Sequence, residues 1–158
     1  MNVRIGQGID IHRFSDDPHR PLVLGGVVIE GGRGLGGHSD ADAVCHALAD
    51  AVLGAVNLGD LGRHFPDTDP VWEGADSVRL LTEVVRMAAE AGHVVTNADC
   101  TVIADAPRLA PYTDAMVERL TGVLGAPVSV KATRAEGLGA LGRAEGIACM
   151  AVVLMEPV

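Results

Sequence analysis

The stretch "GIDIHRF", residues 8 to 14, places an aspartate and a histidine two apart in a segment that otherwise reads as a buried strand. Side chains two apart on a strand point to the same side, so Asp10 and His12 converge on one patch while Ile9 and Ile11 face the other way. A second polar series lies downstream. Asp42, His46 and Asp50 are spaced four apart in an apolar run, which on a helix forms one narrow stripe. Taken with Asp10 and His12, His46 completes a set of two imidazoles and one carboxylate. That is the ligand set of a catalytic zinc site with one open position, and Asp50, one turn further along, is placed to orient His46. The same set serves non-haem Fe(II) oxygenases, so the ligand types alone name neither the metal nor the reaction.

A second cluster surrounds "GLGALG", residues 137 to 142. Lys131, Arg134 and Arg143 are cations able to meet phosphate oxygens, and Glu136 is a carboxylate able to hold Mg²⁺ against a diphosphate. The bland alternative is a group of surface ion pairs. The glycines satisfy G-x-G-x-x-G, but only 16 residues follow Gly142 and they read as a strand, where a dinucleotide fold requires a helix. They are read as a loop through which backbone approaches a ligand.

The elements that must position these groups alternate in type. Residues 2 to 13 read as a strand, and 22 to 30 as a hairpin turning at Gly25 and Gly26. A Gly-rich loop (31 to 37) precedes a helix starting near His38, with Ser39 and Asp42 in a capping-box-like arrangement. Residues 75 to 92 form an amphipathic helix ending at Gly92, and "HVVTNADCTVIA" a strand. The later part of 105 to 125 is a third helix, and 128 to 133 and 146 to 156 are the last strands. The pattern predicts an α+β fold, a mixed β-sheet with helices packed on one face, as a single domain over residues 1–158.

Composition narrows the function classes. With 48% apolar residues the chain can bury a core without staples. Its formal charge of −9 opposes general affinity for nucleic acid or anionic membrane, so an anionic ligand must be held by local groups. Aromatics are 3%, too few for stacking platforms, and Trp72 reads as surface packing. Cys45, Cys100 and Cys149 lie in apolar runs without redox or zinc-finger spacing and read as buried thiols of a reducing compartment. No apolar run reaches spanning length, and the first strand begins without the apolar stretch of a signal peptide. A soluble cytoplasmic protein is expected.

With "GIDIH", "HSDADAVCHAL", "LGDLG", "FPDTDP", "ADS", "ADAP" and "GRAEGIA" in this order, the chain resembles the 2-C-methyl-D-erythritol 2,4-cyclodiphosphate synthases of the non-mevalonate isoprenoid pathway, from residue 3 to about 155. The resemblance implies an α+β unit that assembles as a homotrimer with active sites between subunits. It implies a lyase-type cyclisation of 4-diphosphocytidyl-2-C-methyl-D-erythritol 2-phosphate with release of CMP. One Zn²⁺ per subunit would be held by Asp10, His12 and His46, and Mg²⁺ or Mn²⁺ by Glu136 with the substrate diphosphate. His38 and Ser39 match the substrate-binding pair at the head of the helix, His38 with a catalytic role. Asp60, Leu61 and Gly62, with Phe65, Pro66, Asp67, Thr68 and Asp69, match segments that hold the ribose and the methylerythritol. Ala104, Asp105, Ala106, Pro107, Arg108, Leu109 and Ala110 match the backbone stretch that reads cytosine. Thr133, Arg134, Ala135 and Glu136, with Ala140 and Arg143, complete the substrate contacts. Two positions depart from the family's usual pattern. Arg134 stands where a threonine contacts the transition state, a guanidinium in place of a hydroxyl, and Ala140 replaces an aromatic.

Two rivals remain at this level. A zinc-dependent nucleotide phosphohydrolase would use the same ligands with water as nucleophile. A metal-stabilised interaction module would need all four positions filled by protein, which an open three-ligand set does not provide.

Overall fold

The alternation of the first segment is realised as strand β1 (Arg4–Arg13), with Gly6, Gly8, Asp10 and His12 toward the helices and Ile5, Ile9 and Ile11 on the exposed side. The structure is a computed structural model describing residues 2–158; Met1, the first residue of the expected 1–158 domain, lies outside the described residues. Strands β2 (Leu22–Leu24) and β3 (Val27–Ile29) form the expected hairpin. Gly25 and Gly26 sit at φ 58° and 72°, the left-handed pair that a two-residue type I′ turn demands. The remaining elements are α1 (Ala43–Ala55), α2 (Leu61–His64), α3 (Ser77–Glu90), β4 (His93–Ile103), α4 (Thr113–Leu124), β5 (Val128–Thr133), α5 (Gly139–Gly142) and β6 (Gly146–Pro157).

The main sheet has the order β1-β6-β4-β5; β4 and β5 run parallel and the other pairs antiparallel, giving the mixed α+β architecture expected. Pairing of His12 with Ile147, of Ile103 with Ala148 and of Ile103 with Thr133 brings the ends of β1, β4 and β5 to one edge. The candidate metal ligands on β1 and the candidate nucleotide segments after β4 and β5 therefore share that edge.

Helix α1 is the axis of the core: eleven of its thirteen residues are buried. Its closeness to β1 depends on two glycines. A Cβ on Gly6 would lie 1.8 Å from the Ala51 carbonyl oxygen, and one on Gly8 1.9 Å from that of Ala47. Helix α3 buries Val78, Leu81, Val84 and Ala88 at helical spacing. On its outer side Arg86 pairs with Glu83 and Glu90. Helix α4 buries Met116, Leu120 and Leu124 and stops at Gly125, which takes the left-handed conformation. Cys45, Cys100 and Cys149 are free and buried. Among the described residues, no helix is long and apolar enough to cross a membrane.

Three expectations about elements are corrected. Helix α1 begins at Ala43, not near His38, and its cap is Asp42 rather than Ser39. The Asp42 carboxylate accepts from the Val44 and Cys45 amides, while Ala41 at φ 59° breaks any earlier helical path. Helix α3 is shorter than 75–92 because Asp76, extended, caps it at Ser77. The "GLGALG" loop contains one helical turn, α5.

A candidate metal centre at the edge of the sheet

Asp10, His12 and His46 meet where α1 crosses the end of β1. His12 Nε2 lies 2.8 Å and His46 Nδ1 3.3 Å from Asp10 Oδ2, and the two ring nitrogens are 3.2 Å apart. Two ligands bound to zinc at tetrahedral angles stand about 3.3 Å from each other, so the three donors are spaced for one ion. The other nitrogen of His12, Nδ1, is 2.8 Å from the Gly36 carbonyl oxygen. A carbonyl only accepts, so the N–H of neutral His12 is there and Nε2 faces inward as a lone pair.

Asp10 Oδ2 is accordingly buried without a hydrogen-bond donor aimed at it, despite its short distance to His12. A buried anionic oxygen among ring nitrogens calls for a cation. When His12 is protonated, its Nε2–H can meet that oxygen across the 2.8 Å. Burial alone raises the Asp10 pKa, but the close imidazoles of His12 and His46 outweigh it and bring the carboxyl to about 2. For His12 burial lowers the pKa, and the Asp10 carboxylate more than offsets this and raises it. The Asp10 and His12 shifts are two sides of one interaction. Among the described residues, Asp10, His12 and His46 are the group of three or more ligands that could hold a metal.

The polar stripe expected on α1 is corrected. Asp42 is fully buried and points to the β2–β3 hairpin, where it accepts from the Gly25 and Gly26 amides at 2.8 and 2.7 Å. Asp50 accepts from the Leu61 amide at 2.7 Å and so anchors α2 instead of orienting His46. The partners of His46 Nε2 are hydroxyls: Ser77 Oγ at 2.8 Å and Ser39 Oγ at 3.2 Å. Sequence reasoning did not nominate Ser77; "ADS" counted toward the family resemblance and the start of a helix, with no role given to its serine. Ser39, expected as a substrate contact, is 8% exposed and sits against this ring.

The other candidates form two neighbourhoods. In the first, His38 Nε2 lies 3.1 Å from the Asp69 carbonyl oxygen, and the His38 carbonyl accepts from the Gly74 amide, so His38 buckles down the segment containing "FPDTDP". Asp60 caps α2 through the Arg63 amide, and Asp69 caps a 3₁₀ turn at Pro70–Trp72. Phe65 packs edge-on to Trp72 with ring centres 4.9 Å apart, which gives Trp72 its packing role. Asp67 and Thr68 are exposed and Pro66 half-buried. A cleft lined by Phe65, Trp72, Arg79 and Met87 adjoins this segment, and none of the three metal ligands lines it.

In the second neighbourhood the Ala104 amide donates to the Thr133 carbonyl, joining the two candidate nucleotide segments. Arg134 Nε stands 3.7 Å from Asp105 Oδ1, and the Ala106–Pro107 bond is cis. Leu109 is buried in the core, which leaves its backbone alone for a ligand. Glu136 is exposed at φ 53°. The expected phosphate cluster is largely ion-paired: Lys131 with Asp99 at 2.5 Å, Arg143 with Glu145 at 2.6 Å. Strand spacing of about 4.8 Å separates this neighbourhood from the metal ligands by roughly 10–14 Å within one chain.

A family model described as the YgbB family matches residues 3–156. The 2-C-methyl-D-erythritol 2,4-cyclodiphosphate synthase of Laribacter hongkongensis is 58% identical over 159 residues, covering 99% of this chain and 97% of that protein. The enzyme of the same name from Moorella thermoacetica is 56% identical over 156 residues, covering 97% and 94%. A solved structure of a 2C-methyl-D-erythritol-2,4-cyclodiphosphate synthase in a CDP-bound form superposes with a TM-score of 0.87 at 38% identity, covering 97% of this chain and 100% of that one. The bifunctional IspDF of Campylobacter jejuni superposes with a TM-score of 0.94 at 38% identity over 99% of this chain, which spans 43% of that larger one. On sequence and fold together, the chain belongs to the YgbB family.

Proposed function

We propose that this protein cyclises 4-diphosphocytidyl-2-C-methyl-D-erythritol 2-phosphate with release of CMP, to give 2-C-methyl-D-erythritol 2,4-cyclodiphosphate, the product for which the relatives are named. The observation that carries the reading is the convergence of Asp10, His12 and His46 on one buried, donorless oxygen, in a chain that matches the synthases along its length. The reaction is attack of the substrate's 2-phosphate on its own β-phosphorus. Both reacting groups are in one molecule, so the protein's task is alignment and charge neutralisation. Asp10, His12 and His46 would hold Zn²⁺, which would supply Lewis acidity toward a phosphate oxygen, and Glu136 would hold Mg²⁺ or Mn²⁺, which would neutralise charge on the diphosphate.

The chain's own residues do the rest. His38 holds the "FPDTDP" segment in place as the wall for the methylerythritol. The backbone of Ala104 to Ala110 offers edges for cytosine, and Thr133 and Arg134 face the phosphates beside it. A guanidinium at position 134 binds phosphate oxygens once it leaves Asp105.

The catalytic unit is a homotrimer in which the metal centre of one subunit meets the nucleotide segments of its neighbour. An apolar sheet face supports this: Ile5, Ile9 and Ile11 on β1 and Met150 and Val152 on β6 are all exposed in the single chain. Light scattering should give about 49 kDa, three chains of 16.3 kDa. A fully active monomer would overturn the shared site. The function itself is tested by incubating the purified protein with the cytidine substrate, Zn²⁺ and Mg²⁺. CMP and the cyclic diphosphate should appear in equal amounts; no turnover would refute the reading.

A further inference from the structure

We propose that Asp40 and Ser77 are positioning residues for the metal centre: together they fix His46 in the tautomer whose Nδ1 faces the metal. The proposal rests on the reading of Asp10, His12 and His46 as that centre. The argument is one of hydrogen-bond direction. Ser77 Oγ is hydrogen-bonded to Asp40 Oδ1, and the Ser77 amide donates to Asp40 Oδ2 at 3.1 Å. An ionised carboxylate only accepts, so the single hydroxyl proton of Ser77 is committed to Asp40. Toward His46 the oxygen of Ser77 can therefore only accept, across 2.8 Å. The proton of neutral His46 is thus on Nε2, and Nδ1 is a lone pair aimed at Asp10 Oδ2 and His12 Nε2.

His12 reaches the matching result by other means, since Gly36 is a backbone carbonyl that no substitution removes. His46 depends on a side-chain relay, which substitution can break. Ser39 does not replace it: its oxygen lies at 3.2 Å from Nε2 and also accepts from the Ala41 amide. The relay also ties the centre to the start of α3, because the Asp40 amide donates to the Ala75 carbonyl. Such partners of ligating histidines are worth about 10–100-fold in metal affinity.

The test uses the full chain with zinc alone. Long-range ¹H–¹⁵N correlation of the metal-free protein at a pH where His46 is neutral should show the proton on Nε2; a proton on Nδ1 would overturn the proposal without any variant being made. Chelator competition should then show Ser77→Ala and Asp40→Asn binding zinc about 10–100-fold more weakly than the unaltered chain. Circular dichroism checks that each variant is folded. Folded variants that keep both full zinc affinity and a pure Nε2–H tautomer would overturn the relay while leaving the metal centre standing. Failure of the unaltered chain to bind zinc would instead overturn the metal reading itself.

Discussion

Replacing Gly8 by alanine should damage the metal centre without touching a ligand. The added Cβ would lie 1.9 Å from the Ala47 carbonyl oxygen and 2.8 Å from the Ala51 amide nitrogen, both backbone atoms of α1. Ordinary contact begins near 3.4 Å, so α1 and β1 must separate by about 1.5 Å, since no side chain can rotate out of the way. His46 rides on α1 while Asp10 and His12 ride on β1. A separation of that size opens the 3.3 Å and 3.2 Å spacings beyond what one ion can bridge. Overpacking of this kind costs about 1–3 kcal/mol, and more where backbone meets backbone. Denaturant unfolding and zinc stoichiometry by elemental analysis read the two effects separately. The matched control is Gly54→Ala in the same helix, where a Cβ meets nothing within 4 Å; it should stabilise by about 0.5–1 kcal/mol and keep zinc. A Gly8→Ala protein with the native midpoint and full zinc would refute the close-approach argument.

His46→Ala should lose stoichiometric zinc yet remain folded, since one of three protein ligands goes but only one residue's packing with it; undiminished zinc would remove His46 from the site. Asp42→Ala strands four amides, those of Gly25, Gly26, Val44 and Cys45. It should cost about 3 kcal/mol or more by chemical denaturation, and a loss under about 1 kcal/mol would contradict its role as the tie between hairpin and helix. Glu136→Gln should keep zinc and lose most Mg²⁺-dependent turnover, because the amide drops the charge that holds a hard cation; wild-type rates at ordinary Mg²⁺ would give Glu136 another role.

The parts of the site that sequence reveals are those governed by local periodicity. Asp10 and His12 share a face because strands repeat every two residues, and that holds whatever packs above them. The hairpin turn at Gly25 and Gly26 is equally local. The reading of α1 failed where partners are distant. A helix buried on nearly every side has no solvated face, so spacing by four did not mean a shared role. Asp42 answers to a hairpin 16 and 17 residues earlier, and His46 answers to Ser77, 31 residues later. No pattern in the intervening residues reports such pairings. Gly6 and Gly8 lie in the segment that reads as the first strand, and only the helix lying on them shows why a side chain is excluded there.

In the proposed cyclisation the substrate's own phosphate is the nucleophile, at a centre whose ligand set would equally suit a hydrolase. Turnover in ¹⁸O-enriched water measures this directly. A tethered nucleophile can reach an effective concentration on the order of 10⁵ M when aligned, far above that of water, so cyclisation should outrun hydrolysis. With the internal phosphate as nucleophile, CMP and cyclic diphosphate should both form without label. Solvent oxygen entering the initial products at the rate of turnover, in CMP or in a linear diphosphate, would contradict it and make Asp10, His12 and His46 the centre of a phosphohydrolase.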